Sequence, residues 1–223
     1  MTSPTMSRAA FLASLAGAAL FAAAPDAHAA RNEAAEQYVQ RNAAAALATL
    51  GDRSLSATQR QQTFTRLMAE FSDMPRIAVW VLGRYSAQLR SDTTLRTEWT
   101  RAFQDYAIAT YETRLASLSG GAIRVTGSDE VVAGRTVDVR SEITPPGERR
   151  GREVIWRLNR AGDAWKVWDI NVRVDNGDRI WLGQHQQLEF LGVLNQNQGD
   201  IRALMGSVRT MTASMRQRIV ART

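Results

Sequence analysis

The feature that most restricts this chain is a change in the spacing of its apolar residues at Gly120-Gly121. Before the glycine pair they recur every three or four residues, after it they alternate with polar ones, and beyond Gly183 the longer spacing returns. Over four segments Ile123 and Val125, then Val137, Val139 and Ile143, then Val154, Trp156 and Leu158, then Trp168, Ile170, Val172 and Val174 keep the period-2 pattern of a strand buried on one side. The intervening Gly127-Ser128-Asp129, Pro145-Pro146-Gly147 and Ala161-Gly162-Asp163 are short and turn-like, which predicts an antiparallel meander of four strands. A sheet apolar on one face needs a helical cover, so the fold class is α+β: N-terminal helices packed on a four-stranded antiparallel sheet, with C-terminal helices after it.

The helical stretches carry their own punctuation. Tyr38, Ala45 and residues 48–50 mark the inner side of a first helix that Gly51-Asp52 ends. Ser56, with Gln59 three residues on, caps a second helix presenting Phe64, Leu67, Met68 and Phe71. Asp73 and Pro75 open a short third helix over residues 75–82, stopped by Gly83. Asp92 opens a long fourth one with Leu95, Trp99, Ala102, Phe103 and Tyr106, running on to Leu115 and Leu118. After the strands, Leu188, Leu191 and Leu194, then Ile201, Leu204, Met205 and Val208, mark the last helices. Past Thr210 no apolar face continues, and residues 210–223 are expected to fray.

At the N-terminus, Arg8 precedes an uncharged, alanine-rich stretch over residues 9–25, followed by Ala27-His28-Ala29. This is the pattern of a cleaved secretory signal over residues 1–29, with an apolar run short of the ~20 residues of a membrane span. Residues 30–223 would then be one exported, periplasmic domain. The chain has no cysteine and two histidines, of which His28 goes with the signal, leaving His185. Disulfides, thiol catalysis and multi-histidine or cysteine metal sites are excluded, so neither a metal nor a cofactor is expected. Lys166 is the lone lysine among 28 cationic side chains, against 22 acidic ones, for a net charge of +6. Arg76, Arg84, Arg90, Arg96 and Arg101 form either a solvated face or a docking surface for anionic groups. Export removes nucleic acid as a partner.

Three segments resemble one family. Residues 71–85 (FSDMPRIAVWVLGRY), Phe103 and Tyr111 followed by Leu115, and residues 165–170 (WKVWDI) are similar to segments of the periplasmic MlaC-type phospholipid-binding proteins, also called the toluene-tolerance auxiliary component family. The likeness extends in order over the whole exported chain. Ser86-Ala87 and residues 174–181 depart from the family's pattern, while Gly177 and Phe190 keep it. The resemblance implies that the four-stranded sheet is curved, in a half-cone like that of the nuclear-transport-factor-2 (NTF2) fold, and no enzymatic activity. It implies a soluble carrier that holds a glycerophospholipid by its acyl chains and maintains outer-membrane lipid asymmetry. The implied partners are an inner-membrane ABC transporter complex with its substrate-binding subunit, and an outer-membrane lipoprotein–porin complex. A hopanoid or other polycyclic-lipid carrier on the same scaffold, and a small-molecule enzyme on an NTF2-like cone, are the alternatives.

From periodicity alone, Met68, Phe71, Ile77, Val81, Phe103 and Tyr106 on helices, with Val137, Val139, Trp156, Leu158, Trp168 and Ile170 on strands, either fill a core or line a pocket; the resemblance assigns them to the pocket. Asp138 and Asp169 are the carboxylates placed on strands, and alternation turns both away from the face of Val137/Val139 and Trp168/Ile170, which favours structural roles over that of a buried base. His185 is expected to be exposed at a helix start. No glycine-rich phosphate loop, nucleophile motif or metal-ligand spacing is present, and no catalytic residue is assigned.

Overall fold

The computed structural model describes residues 31–174 and 177–221, and the secretory signal expected over residues 1–29 lies outside the described residues. Helix α1 (Glu33–Gly51) starts at Asn32, whose side chain accepts from the Ala35 N–H, with Glu33 and Glu36 in the positively polarised first turn. Its rotation is set from the sheet. Ser128 accepts from the Asn32 backbone N–H at 2.8 Å and donates to Glu36 Oε1 at 2.7 Å. The buried side is therefore Ala35, Val39, Ala43, Ala46, Leu47 and Leu50; of the residues expected there Leu50 is buried and Tyr38 half-buried, but Ala45 and Ala48 are exposed.

Helix α2 (Ala57–Phe71) begins with the reciprocal Ser56–Gln59 capping box and buries Phe64, Met68 and Phe71. Helix α3 (Met74–Trp80), capped by Asp73, ends two residues before the expected boundary. There Gly83, at φ +52°, turns the backbone into the 3-10 segment Gly83–Ala87. Helix α4 (Gln88–Ser91) is a single turn, and Asp92 then caps α5 (Thr93–Leu115), which closes in the 3-10 turn Ala116–Leu118.

The sheet is an antiparallel meander in the order β1-β2-β3-β4-β5, five strands where the spacing predicted four. Its members are β1 (Ala122–Val132), β2 (Thr136–Thr144), β3 (Arg152–Ala161), β4 (Ala164–Arg173) and β5 (Arg179–Trp181). β5 is three residues long and half-buried throughout, too short to display alternation. Val137, Val139 and Ile143 on β2, and Val154, Trp156 and Leu158 on β3, are buried as the alternation predicts. On β4 the expectation fails at one residue. The register passes from Arg157↔Asp169 to Leu158↔Val167, so Trp168 is the extra residue of a bulge. Trp165, Val167 and Ile170 are buried, and Trp168 instead leans half-buried against the Trp80 ring, 5.5 Å between centroids.

Two helices follow β5. In α6 (Leu182–Gln196) the buried positions are Leu182, Gly183, Gln186, Phe190 and Leu194. Of the expected Leu188, Leu191 and Leu194, Leu194 is buried, Leu191 is half-buried and Leu188 is 69% exposed. Phe190 decides the rotation: its ring meets Trp99, Phe103 and Tyr106 of α5 at 5.8, 6.3 and 5.5 Å, contacts of about 0.5–1.5 kcal/mol each. In α7 (Ile201–Val220) Ile201, Leu204, Met205 and Val208 are buried as expected, and the backbone stays helical beyond Thr210. Helices α5 and α7 run together, α1 lies over β1 and β2, and α6 packs on β4. One close approach joins the halves: a Cβ on Gly51 would stand 2.5 Å from the Gly120 Cα, and the Gly120 N–H donates to Leu47 at 2.9 Å. The glycine pair that marks the change of period is thus where the sheet starts against the end of α1.

Candidate functional site

The residues assigned to a pocket lie mostly in one packed core. Met68, Phe71, Ile77, Val81, Phe103, Tyr106, Val137, Val139, Trp156, Leu158 and Ile170 all belong to it, and Trp168 stands half-buried at its edge. Phe71 joins helix and sheet inside this cluster, its ring 5.6 Å from Trp156. The indole N–H groups that must be buried with their rings find acceptors: Trp156 donates to Ser141 at 2.8 Å and Trp99 to the Ala78 carbonyl at 2.6 Å.

An open space lies at one end of this core, where α5 stops. A cavity of about 730 Å³ is walled by Leu115 and Leu118 from the end of α5, by Val154 from the start of β3, and by Val172 and Val174 from the end of β4. Val154 precedes Trp156 by two residues, and Val172 follows Ile170 by two, so these walls continue the face on which the assigned Trp156 and Ile170 lie. Neighbouring cavities of about 540 and 410 Å³ lie along α5 and the C-terminal half of α7, and all three meet at Ser117. Of the assigned residues, Tyr106 borders the 540 Å³ space. Helix α7 is held over this end by an ion pair of Arg216 with the buried Glu112, and Met215 packs its sulfur 3.8 Å from the Thr110 hydroxyl.

Charge at the cavity is one-sided. Among the described residues, Arg114, Arg150, Arg152, Arg173 and Arg179 line it beside a single carboxylate, Glu153. Sequence reasoning missed this group because its members are far apart in the chain and only the strand register and the end of α5 assemble them. The arginines singled out from the sequence lie elsewhere: Arg76 pairs with Asp73 at 3.7 Å and sits over Trp168, and Arg84 donates to Asn195 at 2.6 Å.

The polar residues with enzymatic precedent are engaged otherwise. Asp169 is buried, and its carboxylate accepts from the backbone N–H groups of Ile170, Gly183 and Gln184 at 2.8, 2.7 and 3.3 Å. It caps α6, whose own N-cap residue Trp181 supplies no side-chain acceptor. Burial pushes its carboxyl upward, opposed by those three donors and by Arg157. Asp138 forms a two-point pair with Arg157 at 2.8 and 2.7 Å, whose guanidinium lies 4.1 Å from the Trp181 ring centroid. His185 is exposed and pairs with Glu189 at 3.2 Å. Lys166 donates to the Glu70 carbonyl at the end of α2. Among the described residues no group of acidic or histidine side chains could hold a metal ion, and no helix is long and apolar enough to cross a membrane.

The motif segments behind the resemblance are architectural. In the LGRY segment, Tyr85 donates to Asn195 at 2.7 Å, and its ring underlies Gly199, where a Cβ would approach to 2.6 Å. Tyr85 and its neighbours thereby lock the turn between α6 and α7. In the WKVWD segment, Trp165 and Val167 enter the core, Lys166 ties down α2 and Asp169 caps α6.

No curated protein matches this sequence. Among solved structures, the phospholipid-binding protein from Ralstonia solanacearum, determined in complex with a phospholipid, superposes with a TM-score of 0.67 at 22% sequence identity, covering 81% of this chain and 98% of that one. The family model described as MlaC protein matches residues 40–210. With most of its length matched in this way, the chain belongs to the MlaC family.

Proposed function

We propose that this protein is a non-enzymatic carrier that binds a glycerophospholipid by its acyl chains and moves it through the periplasm between outer- and inner-membrane complexes. The observation that carries the reading is the apolar-walled cavity at the open end of the helix–sheet core, in a member of the MlaC family whose solved structural neighbour holds a phospholipid. The chains enter between the end of α5 and strands β3 and β4, and extend along the sheet face of Trp156 and Ile170. Tyr106, which borders the neighbouring 540 Å³ cavity, extends the apolar enclosure.

Energetics set the mode of action. A buried methylene is worth about 0.8 kcal/mol, so two chains of roughly fifteen methylenes each would cost on the order of 20 kcal/mol to expose to water. Release into water is therefore negligible, and loading and unloading take place only on docking to a membrane or a membrane complex. The partners expected are an inner-membrane ABC transporter with its substrate-binding subunit and an outer-membrane lipoprotein–porin complex.

The test is to purify the protein without detergent, extract it with organic solvent and identify the extract by mass spectrometry. Stoichiometric glycerophospholipid is expected. A polycyclic lipid in its place would replace the ligand assignment, and a lipid-free protein that also takes up none from vesicles would end the proposal.

A further inference from the structure

The cationic lining of the large cavity exceeds what holding acyl chains requires. Arg173 and Arg179 are directly opposite each other across the β4–β5 ladder, a like-charge pairing that ordinarily destabilises a sheet. Arg179 is only partly satisfied: its Nε donates to Asn171 at 2.8 Å and its Nη1 to Glu153 at 2.5 Å, but its buried Nη2 has no partner among the described residues. A buried guanidinium N–H left unpaired costs more than an ordinary missing hydrogen bond. Arg152 divides itself between Glu148 at 2.8 Å and the Ser117 hydroxyl at 3.2 Å. Arg114 and Arg150 carry no ion pair or hydrogen bond among the described residues. Five guanidinium groups thus converge beside apolar walls, where among the described residues Glu153 pairs with Arg179 and Glu148 with Arg152.

We infer that this rim binds a phosphate-ester anion, specifically the headgroup phosphate of a lipid whose chains lie against Leu115, Val154 and Val172, and that the protein consequently prefers anionic to zwitterionic glycerophospholipids. The inference rests on the carrier reading above and adds ligand selectivity to it. Guanidinium forks match phosphate oxygens in two-point geometry, and the phosphate supplies the missing acceptor for Arg179. A zwitterionic headgroup brings an ammonium into the same cationic field and loses part of that gain.

The experiment uses the full chain stripped of lipid and donor vesicles of phosphatidylcholine carrying a trace of one pyrene-labelled lipid, either phosphatidylglycerol or phosphatidylcholine of equal chain length. Transfer to the protein is read by loss of excimer emission. Partition of phosphatidylglycerol is expected to exceed that of phosphatidylcholine by about tenfold at low salt, and to fall as the Debye length shrinks from about 30 Å at 0.01 M to about 3 Å at 1 M. The double variant Arg114→Gln/Arg150→Gln brings the ratio toward one, while Arg101→Gln/Arg209→Gln, at a separate surface cavity, leaves it unchanged. Equal partition of the two lipids into the wild type overturns the inference and leaves the carrier reading standing. Uptake of neither lipid overturns both. Inorganic phosphate binding as tightly as the phospholipid, with no preference between lipids, would assign the rim to free phosphate and overturn the headgroup assignment.

Discussion

Asp169 shows how a residue with the profile of a catalytic base is explained by local backbone chemistry. It is buried because α6 begins beside it, and the N–H groups of Gly183 and Gln184 leave it no free face. Gly183 is required for that contact, since a Cβ there would lie 3.1 Å from the Asp169 carboxyl carbon. Asp169→Ala leaves buried donors unpaired and should lower stability by about 1–3 kcal/mol in urea unfolding; an unchanged midpoint would refute the capping role. Glu36 gives the clearest pH dependence. The hydrogen bond from Arg31, at 2.9 and 2.6 Å, is the largest influence holding its carboxyl below the ordinary value of 4.5, with burial opposing and Ser128 assisting. A lowered folded-state pKa means that the stabilisation is fully present above the unfolded value and is lost as pH falls through the folded one. Glu36→Gln should therefore lower stability at neutral pH and flatten its decline below about pH 4.5, as read by thermal unfolding across the acid range.

At the level of elements, legibility followed the origin of each signal. Strands β2 and β3 were readable because one-sided burial imposes a period of two on their own residues. The bulge at Trp168 was not, because it is a property of the pairing between β3 and β4. The burial face of α6 was misread because it is set from outside the helix, by Asp169 at one end and by the α5 aromatic rings around Phe190. For α1 the outside influence is Ser128. The Gly120-Gly121 boundary, by contrast, was visible and has a physical reason in the approach of Gly51. Gly51→Ala should cost about 1–3 kcal/mol, since the added methyl must displace backbone, and chemical denaturation measures it. The hold on α7 offers a further test. Arg216→Gln deprives the buried Glu112 of its partner, and amide exchange over residues 211–220 should accelerate while the sheet's protection stays the same; equal protection in wild type and variant would show that the ion pair does not hold the helix.

For the whole molecule, the sequence indicated layers and family, and the family resemblance, not the apolar stripe itself, assigned that stripe to a lipid. The sequence did not indicate where that face opens. The opening forms where the end of α5, the start of β3 and the end of β4 meet, and no local pattern records such a meeting. The arginines around it were invisible for the same reason, since each looks like one more solvated charge in a chain of net charge +6. Once assembled they give that charge a location at the mouth of the apolar cavity. The central claim is that acyl chains pass this mouth and lie along the sheet face of Trp156 and Ile170. It is tested most directly by loading the protein with a phospholipid bearing a diazirine at one chain terminus, irradiating, and mapping the cross-linked peptides. Adducts on the β3 and β4 segments containing Trp156 and Ile170 are predicted; adducts confined to exposed helix surfaces would contradict the account.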